Sequence, residues 1–344
     1  MTTLVTGATG FVGSHVARQL VASGDRVRVL TRRESSTALL DGLEVEFYEG
    51  DLRNASTLSS AMEGVRHVFH VAADYRLWAR DPREIYDSNV TGTRNLLDAA
   101  RRGNVERFIY TSTIATIAVP RNGCSPDEDT RSELSEMIGH YKRSKFLAEK
   151  EAMEAARQGM PVVIVNPTTP VGPGDAKPTP TGRIIVDFLN GRMPAFVDTG
   201  LNVAAVEDVA AGHLLAAEKG MVGERYILGG RNMTLKEILA SLSNICGRRA
   251  PRVRLPHTVA LGAAYVDLWI SRALDREPRI PLDGVRMARH AMFVDGSKAE
   301  RELGYAPGPV DAALERAVRW YQDHGYVQPS RAIRAAQVAS PQPH

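Results

Sequence analysis

Gly7, Gly10 and Gly13 stand three residues apart between an apolar run, Thr3–Val5, and a helix-patterned segment, Phe11–Ala22. No other feature constrains the fold as much. A strand that turns sharply into a helix needs a residue free to take unusual φ. It also needs bare backbone where a phosphate approaches, and close packing of helix on sheet. The helix N-terminus then presents free N–H groups and a positive dipole end to anions. Because Phe11, Val12, Val16 and Leu20 share one helical face, the loop has the context that makes such glycines informative. It predicts a dinucleotide site built from Gly7, Thr9, Gly10, Phe11, Val12 and Gly13.

The segment that follows alternates in the same way. Short β runs at Val27–Leu30, Val45–Tyr48, His67–Val71, Phe108–Thr111 and Val162–Val165 are separated by helical patterns. The helices are expected at Leu58–Met62, Glu84–Arg102 and Tyr141–Arg157. Such alternation predicts an α/β fold with a doubly wound parallel sheet of the Rossmann type. Residues 1–166 form the expected dinucleotide-binding domain. The Pro- and Gly-rich stretch Pro167–Pro180 reads as a loop without an element of its own. Residues 167–327 read mainly as a substrate-binding domain, with elements near 201–228 returning to the main sheet. Its expected elements are helices at Arg183–Asn190, Val209–Glu218, Leu235–Cys246 and Val259–Leu274 and a strand at Arg225–Leu228. The apolar helix Val259–Leu274, with Leu261, Tyr265, Leu268, Trp269 and Ile270, is expected to bury against that domain, with an apolar substrate pocket or a membrane surface as the alternatives. Residues 328–344 read as a mobile tail.

Composition removes other classes. A net charge of +3 is too mild for a nucleic-acid binder. Cys124 and Cys246 form no CxxC pair, which argues against a disulfide framework or structural zinc. His67 and His70, three apart on a strand, face opposite ways, so no metal site is expected. The start MTTLVTG leaves no room for a secretion signal, and no apolar run reaches the ~18–20 residues of a membrane span. A cytoplasmic location is expected. The arginines Arg248, Arg249, Arg252 and Arg254 read as a solvated edge, with a grip on a substrate phosphate as the alternative.

The end of the second strand selects the cofactor. An NAD site carries an acidic residue there for the ribose 2′-OH, whereas this chain has Thr31, Arg32 and Arg33. A guanidinium suits a 2′-phosphate, so NADP(H) is favoured through Arg32, with NAD(H) as the alternative. Asp51 and Leu52 fall where an adenine would lie, and the small Ala72 and Ala73 let backbone approach a cofactor. Tyr141 and Lys145, four apart in YKRSK, share a helical face. A free phenol has a pKa of about 10 and a nearby ammonium lowers it, which makes the pair suited to acid–base work. Thr113, in TST after the fifth strand, would orient a substrate oxygen. Tyr75 and Trp78 are candidate substrate contacts.

Taken together, TGATGFVG, GDL, HVAAD, NVTGTRN, YTST and YKRSK resemble the extended short-chain dehydrogenases/reductases, in the epimerase/dehydratase and dihydroflavonol reductase branch. The segments HVAADYRLWARDP, IGHYKRSKFLAE, VIVNPTTPVGP and PTPTGRIIVDFLNGRMPAFVDTGLN are similar to the hopanoid-associated sugar epimerases. The resemblance runs from Leu4 to Tyr321. It implies a sheet of about seven strands with a small C-terminal domain. It implies Tyr141 as general acid/base, Lys145 as its partner, Thr113 at the serine-cluster position and Asn89 as a supporting asparagine. It further implies a homodimer through the two long helices. Two positions depart from the nucleotide-sugar pattern: Asn166 replaces an arginine and Ala205 a histidine.

The resulting expectation is an enzyme that epimerises a sugar or polyol, lipid-linked in hopanoid metabolism, by hydride transfer at a secondary alcohol. An NADPH-dependent carbonyl reductase is the alternative. A non-catalytic dinucleotide sensor ranks below both, because Tyr141 and Lys145 are present. Asn166 joins the candidate substrate contacts.

Overall fold

The computed structural model describes residues 1–117 and 125–328. The first half builds β1 (Thr2–Thr6), α1 (Phe11–Ala22), β2 (Arg26–Thr31), β3 (Val45–Glu49), α2 (Leu58–Ala61) and β4 (His67–His70). Then come α3 (Arg83–Tyr86), α4 (Gly92–Arg102), β5 (Arg107–Thr111), α5 (Gly139–Arg157), β6 (Val162–Pro167) and β7 (Thr169–Val171). The second half adds α6 (Pro180–Leu189), β8 (Ala195–Val197), β9 (Gly200–Ala205), α7 (Val206–Lys219), β10 (Arg225–Leu228), β11 (Arg231–Thr234) and α8 (Leu235–Cys246). It ends with β12 (Val253–Leu255), α9 (His257–Ala273), α10 (Leu282–Met287), α11 (Ser297–Leu303) and α12 (Val310–Asp323).

Seven strands pair in the order β3-β2-β1-β4-β5-β6-β10, all parallel. The order reverses between β1 and β4, which opens a crevice at their carboxyl ends, where such sheets bind ligands. Apolar side chains alternate across the sheet. Val5, Val29, Phe69, Ile109 and Val163 face one core with Val16 and Leu20 of α1 and Val209 of α7. Leu4, Leu30, Val68, Phe108 and Ile164 face the other, with Leu96 of α4 and Ala148 of α5. This is why the strands read as continuous apolar runs. A third core joins Ile185 and Phe188 of α6, Ile238 and Leu242 of α8, and Leu314 and Tyr321 of α12 over Val203 of β9.

Several expectations change. The stretch Pro167–Pro180 contains β7, whose Pro170 is tolerated at the edge of the small sheet β11-β9-β7. The helix expected at Glu84–Arg102 is interrupted by a wide π turn at Asp87–Thr91. Helix α12 has no counterpart in the expectations. Helix α9 does not bury its apolar side: only Ala264 and Ser271 are buried, while Trp269 is 77% exposed. Cys124 and, apart from Gln328, the expected tail lie outside the described residues.

Candidate active site

Gly7 leaves β1 with φ +73°, and a Cβ there would stand 2.5 Å from the Ala72 nitrogen. A Cβ on Gly13 would overlap the Gly7 carbonyl. Both positions therefore require glycine, one for its backbone conformation and both for close approach. Gly10 N–H closes the turn on the Gly7 carbonyl at 2.9 Å. The N-terminus of α1 carries no side-chain cap and no acid in its first turn, so its N–H groups are available to an anion. Phe11 and Val12 open this helix, and Thr9 precedes it. Ala72 lies across the crevice, its N–H 3.3 Å from Thr6 Oγ1, and Ala73 is exposed beside it.

At the ends of β2 and β3 the structure brings Arg32 near Asp51. Arg32 is half-exposed and pairs with Glu34 at 3.3 Å. Hydrogen bonds from Arg53, chiefly, hold the Asp51 carboxyl below its usual range, and the Arg32 charge adds to this. Leu52 lies against α4, its carbonyl accepting from Asn95 at 2.9 Å.

On α5, Tyr141, Lys145 and Glu149 follow one another at four-residue spacing on one face. Thr113 lies close enough to Tyr141 to favour its phenolate. Thr113 is extended (φ −165°, ψ 151°), and its hydroxyl accepts the Ala115 N–H at 3.1 Å. Burial pushes the phenol up from its ordinary pKa, against the lowering effect of Thr113. Lys145 is 2% exposed and donates to Tyr110 Oη at 3.0 Å and to the Thr111 carbonyl at 2.8 Å. Burial pulls its ammonium down to about 7, opposed by Glu149. The expected lowering of Tyr141 by Lys145 is thus replaced here by a phenol raised through burial, with the ammonium held by β5.

A chain of buried polar groups underlies the crevice. Register places Thr6, His70 and Tyr110 side by side on β1, β4 and β5. Thr93 Oγ1 donates to the Asn89 carbonyl at 2.6 Å, so His70 donates to Thr93 through Nε2–H (2.9 Å) and accepts from Thr6 at Nδ1 (2.8 Å). Burial, with Lys145 adding, lowers the His70 pKa to about 3. Asn89, itself buried, accepts from the Asp74 N–H at 2.7 Å and donates to the Asp74 carbonyl and to Ser144 Oγ at 2.9 Å each. It ties α5 to the loop that bears Tyr75 and Trp78. Tyr75 donates to the Lys177 carbonyl at 3.0 Å, and Trp78 is half-buried. Helix α10 closes over this region: a Cβ on Gly139 would collide with the Asp283 carboxylate, and one on Gly284 would touch Leu77 at 3.6 Å.

Asn166 is corrected as a substrate contact. Its exposure is 0%, and it lies behind Thr113, donating to the Thr113 carbonyl at 3.1 Å and to Glu149 at 3.0 Å. Glu149 escaped the sequence reading, although its spacing from Lys145 repeats that of Lys145 from Tyr141. Its carboxylate also accepts from Ser112, from Thr116 at 2.9 Å and from Arg225 at 3.3 Å. The partner Arg225 had no local signal.

These features agree with what known proteins share with this chain. Residues 3–229 match the NAD dependent epimerase/dehydratase family. A putative dihydroflavonol 4-reductase from Synechocystis sp. is 48% identical over 328 residues, 94% of this chain and 95% of that protein. Sterol demethylase protein B from Methylococcus capsulatus is 39% identical over 329 residues, 95% of this chain and 100% of that protein. The crystal structure of a nucleoside-diphosphate-sugar epimerase from Pseudomonas aeruginosa has a TM-score of 0.80 at 28% identity, covering 95% of this chain and 99% of that one. The chain belongs to the NAD dependent epimerase/dehydratase family, within the extended short-chain dehydrogenases/reductases, and is an oxidoreductase that uses a nicotinamide dinucleotide.

Proposed function

We propose that the protein interconverts a secondary alcohol and its ketone on a substrate without a nucleotide diphosphate, with net reduction by NADPH as the working direction. The observation that carries the substrate class is Asn166. Where nucleotide-sugar relatives place an arginine, this chain has a neutral amide fully buried behind Thr113. No cation from that position reaches a phosphate.

The loop fits the implied dinucleotide, because bare backbone at Gly7 and Gly13 borders an uncapped helix N-terminus. When bound, the nicotinamide supplies the hydride donor or acceptor. Gly7 to Gly13 would hold the pyrophosphate, Arg32 the 2′-phosphate, Asp51 and Leu52 the adenine side, and Ala72 and Ala73 the crevice wall. Tyr141 holds its proton at neutral pH, as a general acid for a ketone oxygen requires. Thr113 aligns that oxygen through its own hydroxyl beside the phenol. Lys145 fixes the end of β5 and supplies a titrating ammonium beneath it. Tyr75 and Trp78 flank the substrate.

Epimerisation of a sugar or polyol is the second reading, supported by the likeness to the Pseudomonas aeruginosa epimerase. A homodimer through α3–α4 and α5 belongs to the same proposal; sedimentation at micromolar concentration tests it. The deciding experiment identifies the cofactor released from purified protein and screens ketones with NADPH. Consumption of NADPH by a ketone, lost in Tyr141→Phe, is the expected result. Tightly retained oxidised cofactor with a sugar or polyol product inverted at one carbon would replace it by the second reading.

A further inference from the structure

Helix α9 turns an apolar stripe outward. Val259, Val266, Trp269, Ile270 and Leu274 recur at helical spacing, and all are exposed. The covered side holds Ala264, buried, with Leu261 and Leu268 part-buried. Asp267 fixes that side, accepting from Arg276 and from the Ile280 N–H, both at 2.8 Å. A second apolar stripe facing water on a helix already anchored is unfavourable and calls for a nonaqueous partner.

The charge on α9 and the segment after it says which partner. From His257 to His290 there are five arginines and four acidic residues. All four acids are taken up in ion pairs, Asp267 with Arg276, Asp275 with Arg80, Glu277 with Arg183 and Asp283 with Arg286. Arg272, Arg279 and Arg289 are exposed and form no ion pair among the described residues. No described helix is long and apolar enough to cross a bilayer. An aromatic and aliphatic stripe bordered by arginines on a helix too polar to span fits the headgroup–acyl boundary of an anionic bilayer.

We propose that α9 docks in the plane of an anionic membrane surface, with Val266, Trp269, Ile270 and Leu274 in the acyl boundary and the neighbouring arginines on lipid phosphates. Helix α10 packs on α9 and, through Asp283 and Gly284, stands over Gly139 and Leu77. Docking therefore places the roof of the site against the lipid. The proposal concerns binding alone and stands independently of the reaction assigned above.

The test uses the full chain with vesicles of phosphatidylcholine, with or without about one-third phosphatidylglycerol. Cosedimentation to the anionic vesicles should be at least about tenfold stronger than to the neutral ones and should weaken in high salt. Tryptophan emission should shift to the blue. The double variant Val266→Ser, Trp269→Ser should lose at least about tenfold in vesicle binding, with its unfolding midpoint unchanged. Arg272→Glu, Arg279→Glu should lose the preference for anionic lipid. Tyr141→Phe should bind as the parent does. Equal binding by the parent and the double variant overturns the proposal, as does failure of the parent to bind either vesicle. A concentration-dependent dimer that the double variant abolishes, without vesicle binding by the parent, also overturns it and assigns the face to a second copy of the chain.

Discussion

Asn166 donates to Glu149 at 3.0 Å from the same amide nitrogen that reaches the Thr113 carbonyl at 3.1 Å. The backbone of Thr113 is thus secured from behind by a buried carboxylate four residues beyond Lys145. Glu149→Ala would take from Ser112 its acceptor and from Arg225 its buried counter-charge, and would strip Thr116 and Asn166 of one of their acceptors. A loss of about 3–5 kcal/mol in denaturant unfolding is expected. Glu149→Gln keeps the shape and should cost about 1–3 kcal/mol. Its kcat should fall more than its KM changes, because Thr113, which aligns the reacting oxygen, is displaced while Tyr75 and Trp78 are not. A stability equal to the parent in both variants would refute this account.

Asn89 spans two elements with one amide, clasping the Asp74 backbone and reaching Ser144. Asn89→Ala should destabilise the protein by about 1–3 kcal/mol. It should also loosen the loop of Tyr75 and Trp78, so KM for substrate rises while cofactor affinity holds. Hydrogen exchange at residues 72–80 provides the direct readout.

Two buried histidines make the fold acid-sensitive. His70 titrates at about 3 and His213 at about 4, each lowered chiefly by burial, against an unfolded value of about 6.5. Between those limits the unfolded chain binds more protons than the native one, so stability falls as pH drops below about 6.5. Each histidine should cost about 2 kcal/mol on going from pH 7 to pH 5. His213 Nδ1 donates to the Val209 carbonyl at 2.7 Å, which an asparagine amide can imitate. Unfolding of His213→Asn across this range should show a shallower pH slope than the parent.

Among the described residues Arg32 pairs with Glu34 alone, and it is half-exposed, so it is free to turn toward a ligand. Arg32→Ser should weaken NADP(H) binding about ten- to hundredfold and leave NAD(H) nearly unchanged. Calorimetric titration of both cofactors checks this. Equal losses for the two would remove the 2′-phosphate role.

Where a residue type is demanded by local backbone geometry, the sequence was legible. Gly7 needs its positive φ, and Gly13 needs the space a Cβ would fill. Buried parallel strands declare themselves as apolar runs, so β1 to β6 and β10 were readable. Strand β7 was not, because Pro170 disguises an edge strand as a turn. Helix α12 carried a readable signal, since Val310, Ala313, Leu314, Ala317, Val318 and Tyr321 repeat at helical spacing. Periodicity also gave α9 its stripe, but not which side the rest of the protein covers. Asn166 and Arg225 lay beyond reach for another reason. Their roles come from Glu149, a partner 17 and 76 residues away that only the folded sheet brings near.

The wide turn at Asp87–Thr91 admits an additional residue without breaking the rod between Arg83 and Arg102. Each residue of an ordinary helix advances by about 100°. Wound into an ordinary helix, the same residue would turn everything downstream by that angle. Thr93 would then face away from His70, and Leu96 and Leu97 away from the sheet they cover. Although Asp87 and Thr91 are not themselves buried, their wide turn therefore sets which face of α4 meets the sheet.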